Sequence, residues 1–220
     1  MRACCLLFVA GLIVPLSAGA RGDVGNGNFS AGNTGFSSGY TFASVDPSTG
    51  AGHFTVATSP LLFNSFGASF GDHTTGTGPM LILDGSSQSG VVAWSQVVSL
   101  APNTNYQFSA FAASWGEVGD LHDPSPAIIS FTVNGSQVGS TLNLPATDGQ
   151  WAQYQGSFNS GALTFATLGI TDLNTVSIGN DFAIDDISLS GPSAPIPEPA
   201  CIAILGCGSL ALLGRIRRYR

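Results

Sequence analysis

Carboxylates are the reactive groups this chain carries in quantity, and they stand without partners of opposite charge. Between Gly22 and Ser190 there are 12 Asp or Glu residues and no Lys or Arg. Lysine is absent throughout, and the six arginines are Arg2, Arg21, Arg215, Arg217, Arg218 and Arg220. An acidic side chain in that interval must be solvated, hydrogen-bonded or bound to a cation. Phosphate is ordinarily held by Lys or Arg, so phosphate binding of that kind is excluded and nucleic acid and anionic membrane surfaces are poor partners of this region. Neutral polysaccharide and divalent cations are compatible with it.

Three groupings of these residues could do chemistry. Asp185-Asp186 is a carboxylate pair inside the apolar run Phe182–Leu189. Asp72 and His73 sit in the Gly/Thr-rich stretch 70–80, where they could ligate a metal or structure the loop by hydrogen bonds. Glu117, Asp120, His122 and Asp123 form an acidic stretch whose spacing matches no zinc or EF-hand pattern. It reads as a solvated acidic loop, with metal or sugar contact as the alternatives. Glycoside hydrolysis needs two carboxylates flanking one bond. Glu117 is the single Glu before the tail, and no distinctive pairing accompanies it. His53, His73 and His122 form no zinc motif. The expectation is a protein that is not an enzyme, with a small exported glycoside hydrolase as the lesser alternative.

The elements that must position these groups are strands. Short runs rich in Val, Ile, Phe, Tyr and Thr alternate with Gly, Asn, Ser and Pro clusters. The pattern predicts strands at 40–45, 53–58, 80–84, 91–100, 104–115, 127–133, 137–142, 151–158, 163–171 and 182–189. Asn134-Gly135 between two of them is a strong hairpin signal. About ten strands in one domain predict an all-β, two-sheet antiparallel sandwich of jelly-roll type. Alternation puts Tyr106, Phe108, Ala110 and Ala112 on one face as core, and Phe111, Ala113 and Trp115 on the other. Ala127, Ile129, Phe131 and Val133 form another buried set, and Trp94 falls on a core face. Phe111 and Trp115, about 13 Å apart along a strand, could stack successive sugar units; alternatively they pack under a loop or the second sheet. Tyr40 and Trp151 are further candidate aromatic contacts.

The termini give addresses. Arg2, the apolar run Ala3–Leu16 and the small residues Ala18-Gly19-Ala20 read as a signal peptide, residues 1–20. The sandwich is expected over 21–190, a Pro-rich linker over 191–199, and a hydrophobic segment with an Arg-rich end over 200–220. Cys4, Cys5, Cys201 and Cys207 all lie in the end segments, so the body has no disulfide. The run Ala200–Gly214 would span about 22 Å as a helix against a hydrocarbon core of about 30 Å. Its terminal arginines favour the cytoplasmic side. The order Pro197-Glu198-Pro199, apolar run, arginine cluster resembles the PEP-CTERM sorting signal of bacterial proteins. That resemblance implies an exosortase-type processing enzyme as partner, membrane contact only through the C-terminal segment, and a cell-surface or extracellular destination.

A second resemblance covers the body. Asn26-Gly27-Asn28-Phe29, the stretch Trp94 to Tyr106, and the closing Asn180-Asp181-Phe182-Ala183-Ile184-Asp185-Asp186-Ile187-Ser188-Leu189 are similar to segments of galactose-binding-like jelly rolls and extracellular carbohydrate-binding modules. It implies adjacent first and last strands, with structural calcium held by Asp185 or Asp186 and by oxygens near Asn26 and Asn28. Calcium suits such a site because it takes six to eight hard oxygens in irregular geometry. The implied function is polysaccharide or surface-matrix binding. A purely structural surface or biofilm protein stays open as the alternative.

Overall fold

The structure, a computed structural model, describes residues 23–44, 50–116, 123–176 and 178–191. The signal and sorting segments, with Pro197, Glu198 and Pro199, lie outside the described residues, as do Glu117, Asp120 and His122. Eleven strands and one helical turn are described: β1 Thr41–Phe42, β2 His53–Ala57, α1 Pro60–Phe63, β3 Met80–Asp84, β4 Val92–Ser99, β5 Asn105–Ser114, β6 Ile128–Val133, β7 Ser136–Gln137, β8 Leu142–Asn143, β9 Ala152–Asn159, β10 Phe165–Asp172 and β11 Phe182–Ser190. A six-stranded sheet runs β1-β2-β3-β11-β5-β9, and a five-stranded sheet runs β4-β10-β6-β7 with β8 also on β6. Only β1–β2 is parallel among these pairs. The chain is a two-sheet, jelly-roll-like sandwich.

Alternation sets the core between the sheets. Tyr106, Phe108, Ala110 and Ala112 of β5 are buried against Trp94, Val98, Ile129, Phe131, Leu168 and Ile170 of the opposite sheet. Phe131 stacks flat on Tyr154 at 3.5 Å. Burying each large apolar side chain contributes about 1.5–3 kcal/mol. Two expected strands change. The span 137–142 is interrupted at Gly139, whose φ of 67° suits glycine, so β7 and β8 are separate two-residue strands. The span 40–45 contracts to β1, and its Val45 lies outside the described residues.

Two irregularities shape the surface. The first is the segment between β2 and β3, including α1, which folds over part of the outer face of the six-stranded sheet. There Phe63, Met80, Ile82, Trp115 and Ala183 make a second small core, with Ala57, Ala68, Phe70 and Trp151 packed against it. The second is a bulge in β11. Asp185 opposes Phe111 and Ser188 opposes Ser109, so β11 spends one residue more than β5 over the same interval. Asp186 takes the extra turn with φ 50°. In an unbroken strand successive side chains point to opposite faces; here two consecutive carboxylates reach the same loop. Among the described residues no helix is long and apolar enough to cross a membrane.

Candidate functional site

Where the covering segment ends, the outer face of β5, β9 and β11 stays open. The open rows are polar: Ser109 and Ser188 hydroxyls meet at 2.8 Å, Gln107 donates to Gln155 at 3.4 Å, and Asn159 donates to Asn105 at 2.7 Å. A groove of about 460 Å³ crosses this face. Ser109 and Phe111 of β5, Gln153 of β9, and Asp186 and Ser188 of β11 line it, with Val24, Asn26, Gly27 and Asn28 as its other wall. That wall is fixed by close packing on the last strand. Gly27 accepts the Ile187 amide at 2.9 Å, and a Cβ on Gly27 would lie 1.9 Å from the Ile187 carbonyl oxygen. The expected adjacency of the first segment and the last strand is therefore present.

Beside the groove the loop before β3 clasps the two bulge carboxylates. His73 Nδ1–H donates to Asp186 Oδ2 at 2.7 Å. The Thr74 amide donates to Asp185 Oδ2 at 3.0 Å, and the Thr74 hydroxyl lies 2.9 Å from that oxygen and 2.6 Å from Asp186 Oδ1. The His73 ring stacks on Phe111 with centroids 3.5 Å apart and planes 13° apart, and meets Trp151 edge-on at 5.8 Å. Asp72 shapes the loop from inside, accepting Gly78 N at 2.7 Å, Thr75 N at 3.1 Å and Thr75 Oγ1 at 3.0 Å. Burial pulls the Asp72 carboxyl up, but these bonds outweigh it and leave it below the ordinary value. Asp185 is fully buried, and that burial raises its carboxyl against the bonds from Asp186 and Thr74.

The aromatic candidates divide. Phe111 lines the groove, half-buried, and Trp151 stands beside His73. Trp115 lies on the face the alternation gave it but is only 1% exposed, covered by Phe63 at 6.3 Å, with Nε1 donating to the Leu83 carbonyl at 3.2 Å. A Phe111–Trp115 platform therefore does not form. Tyr40 is also corrected: it is buried in the main core, where its hydroxyl accepts Ser86 N at 3.3 Å. Sequence reasoning missed Gln153, Ser109 and Ser188 as groove residues; outward parity on β5 marks Ser109, whereas Ser188 faces outward only because of the β11 bulge. It left His73 as one reading among several.

The residues expected to hold calcium do not form a cage. Asn26 lines the groove wall, but its Oδ1 accepts Ala31 N at 2.9 Å while its Nδ2 donates to Gly32 and Thr34 carbonyls. Asn28 Oδ1 accepts the Ser30 amide and hydroxyl at 3.3 and 2.9 Å. Both Asp186 oxygens are engaged by the loop, which leaves one buried atom, Asp185 Oδ1, without a hydrogen-bond partner. Counting these four side chains alone, one free oxygen falls short of the six to eight that calcium takes. Among the described residues no three His, Cys, Asp or Glu converge closely enough to hold a metal ion.

A second acidic cluster lies at the start of β11. Asp123 is 2% exposed rather than part of a solvated loop; its Oδ1 accepts Ser125 N at 2.8 Å and its Oδ2 is buried without a partner. Asp172, 4% exposed, accepts Ile128 N and Asn174 N at 2.9 Å each. Burial lifts both carboxyls to about 6. Burial and the neighbouring Asp84 push Asp181 well above the ordinary range. Elsewhere, Gly35-Phe36-Ser37-Ser38-Gly39 spells the Gly-x-Ser-x-Gly pattern of hydrolase nucleophile elbows. Ser37 is instead bridged through its backbone to Ser95 at a sheet edge, with no helix following.

No protein-family model and no curated protein matches the chain. Solved structures do. The tandem CBM22-1–CBM22-2 domain of Paenibacillus barcinonensis Xyn10C is 16% identical with a TM-score of 0.50; the match covers 81% of this chain and 48% of that one. The chain thus spans about half the length of that tandem. The CBM22-1 xylan-binding domain alone is 14% identical over 81% of this chain and 99% of that one, at a TM-score of 0.44. A Stig cyclase from Fischerella sp. TAU, solved with an indole compound, is 12% identical with a TM-score of 0.54, over 80% and 100% of the two chains. At these identities the likeness is one of fold, and the fold carries binding modules and enzymes alike.

Proposed function

We propose that this chain is a non-catalytic module that binds a neutral polysaccharide in the groove over β5, β9 and β11. One observation carries this reading. Phe111 stands in an open groove among the hydroxyls of Ser109 and Ser188 and the amides of Gln153 and Asn28. Sugar rings pair an apolar C–H face with a rim of hydroxyls, and this lining offers a ring for the first and donors and acceptors for the second. With no Lys or Arg between Gly22 and Ser190, the lining has no fixed cation for a uronate or sulfate. Asp186 is the one carboxylate lining the groove, whereas glycoside hydrolysis uses two.

Affinity electrophoresis of the full-length chain in gels of several neutral polysaccharides tests the reading. Wild type should be retarded in at least one gel. Phe111→Ala should migrate freely there, while Phe165→Ala, which removes an exposed ring on the other sheet, should behave as wild type. Equal migration of all three proteins in every gel would replace this reading with that of a structural surface or biofilm building block.

The destination is a proposal from the sequence. The module is exported, cut near Pro197-Glu198-Pro199 by an exosortase-type enzyme, and held at the cell surface or in the matrix. Intact mass of the surface form checks this, and retention of Arg215 to Arg220 would refute it.

A further inference from the structure

We propose that the Asp185–Asp186 pair is held by the loop before β3 in place of a metal ion, and that His73 is thereby the positioning residue of the groove. The two carboxylates are turned to one side by the β11 bulge, where an ion could have bridged them. Their space is taken by protein donors: the His73 imidazole on Asp186, the Thr74 amide on Asp185, and the Thr74 hydroxyl between them. The Asn26 and Asn28 oxygens that would complete a cage are spent on their own loop. A divalent ion could enter only by breaking several of these bonds.

The same clasp sets the ring that the ligand meets. Phe111 lines the groove and His73 does not; the imidazole lies flat against Phe111 and edge-on to Trp151. Asp186 restrains the imidazole at one nitrogen, so the three rings are locked as a set and Phe111 is held before a sugar arrives. Ordering a side chain in advance removes that cost from binding.

Two measurements on the full-length chain decide the proposal, and only the second rests on the polysaccharide reading. Thermal midpoints with calcium and with chelator should agree. An ion at a hundredfold excess over its Kd would raise the midpoint by about 5–10 °C, and such a rise would overturn the proposal. Affinity for whichever neutral polysaccharide retards the wild type should fall about two- to tenfold in His73→Ala, the range of one aromatic pair. His73→Phe, which keeps a stacked ring but loses the bond to Asp186, should recover part of that loss and fall between His73→Ala and wild type, whereas full recovery would show that the bond to Asp186 plays no part in positioning Phe111. Equal affinity of His73→Ala and wild type would overturn it, as would failure of His73→Phe to recover in a chain that melts normally. If no polysaccharide retards the wild type, the function reading falls alone. The clasp is then judged by Trp151 emission, taken as the difference from Trp151→Phe. That emission should change in His73→Ala, and an unchanged spectrum refutes the locked ring set.

Discussion

Raising the pH from 4 to 7.5 should destabilise this protein, opposite to the usual course of acid unfolding. Asp123 and Asp172 each titrate near 6 in the folded chain against an ordinary 3.8, because burial disfavours their charged forms. The folded state therefore binds protons more tightly than the unfolded state between those values. The stability this represents is complete below pH 3.8 and is lost as pH rises through about 6. Each pKa unit is worth about 1.4 kcal/mol, so each carboxyl accounts for about 3 kcal/mol. Asp181 and Asp185, also raised by burial, act in the same direction, and Asp72, which is lowered, acts against them. For a body of this size a loss of several kcal/mol lowers the midpoint by roughly 10–20 °C.

Calorimetric melting in steps from pH 4 to 8 measures this. Asp123→Asn is the sharpest variant. Its amide oxygen can still accept Ser125 N, and it cannot ionise. It should remove one carboxyl's share of the pH dependence, about 3 kcal/mol, and raise the midpoint at pH 7.5 by about 5–10 °C, with little change at pH 4. A wild-type midpoint that is highest near neutrality, or an Asp123→Asn curve parallel to it, would refute the reasoning.

Two further outcomes follow from the packing. Trp115→Ala should cost about 3–5 kcal/mol, as for a large core aromatic, and its melting curve would show it; an exposed platform residue would change the midpoint little. Gly27→Val should cost about 1–3 kcal/mol and weaken retardation in polysaccharide gels together, because its Cβ cannot fit against the Ile187 carbonyl without moving the groove wall.

The sandwich was legible because alternation survives along nearly every strand. The buried sets in β5 and β6 are the ones parity assigns. The bulge was legible too, and went unread. Phe182 and Ile184 share one parity, Ile187 and Leu189 the other, yet all four are buried in one core. Apolar parity can switch mid-strand only if one residue is spent without pairing, and the switch falls at Asp185-Asp186. What the sequence withheld is long-range covering. Trp115 was given its correct face, but nothing local to β5 tells that α1 and its flanking loops close over that face. Tyr40 was lost for a similar reason: the partner of its hydroxyl, Ser86, is 46 residues away along the chain. His73 could not be joined to Phe111 and Asp186 because parity within a strand says nothing about which loop crosses it.

The absence of Lys and Arg from the body has a structural answer in these contacts. Where another protein would set a cation beside a carboxylate, this one sets backbone amides: Thr75 and Gly78 on Asp72, Thr74 on Asp185, Ser125 on Asp123, Ile128 and Asn174 on Asp172, and Gly85 on Asp181. An amide is fixed by the fold, so each carboxylate pins a loop rather than tethering a flexible side chain. Such bonds neutralise no charge, and where burial is deep the proton is retained to higher pH instead. At the groove the arrangement serves a different end. A cationic wall would bring a fixed charge to a surface whose proposed ligand has none, whereas carboxylates tied down by amides, hydroxyls and one imidazole hold the wall rigid and leave the lining to Phe111, Gln153 and the serines.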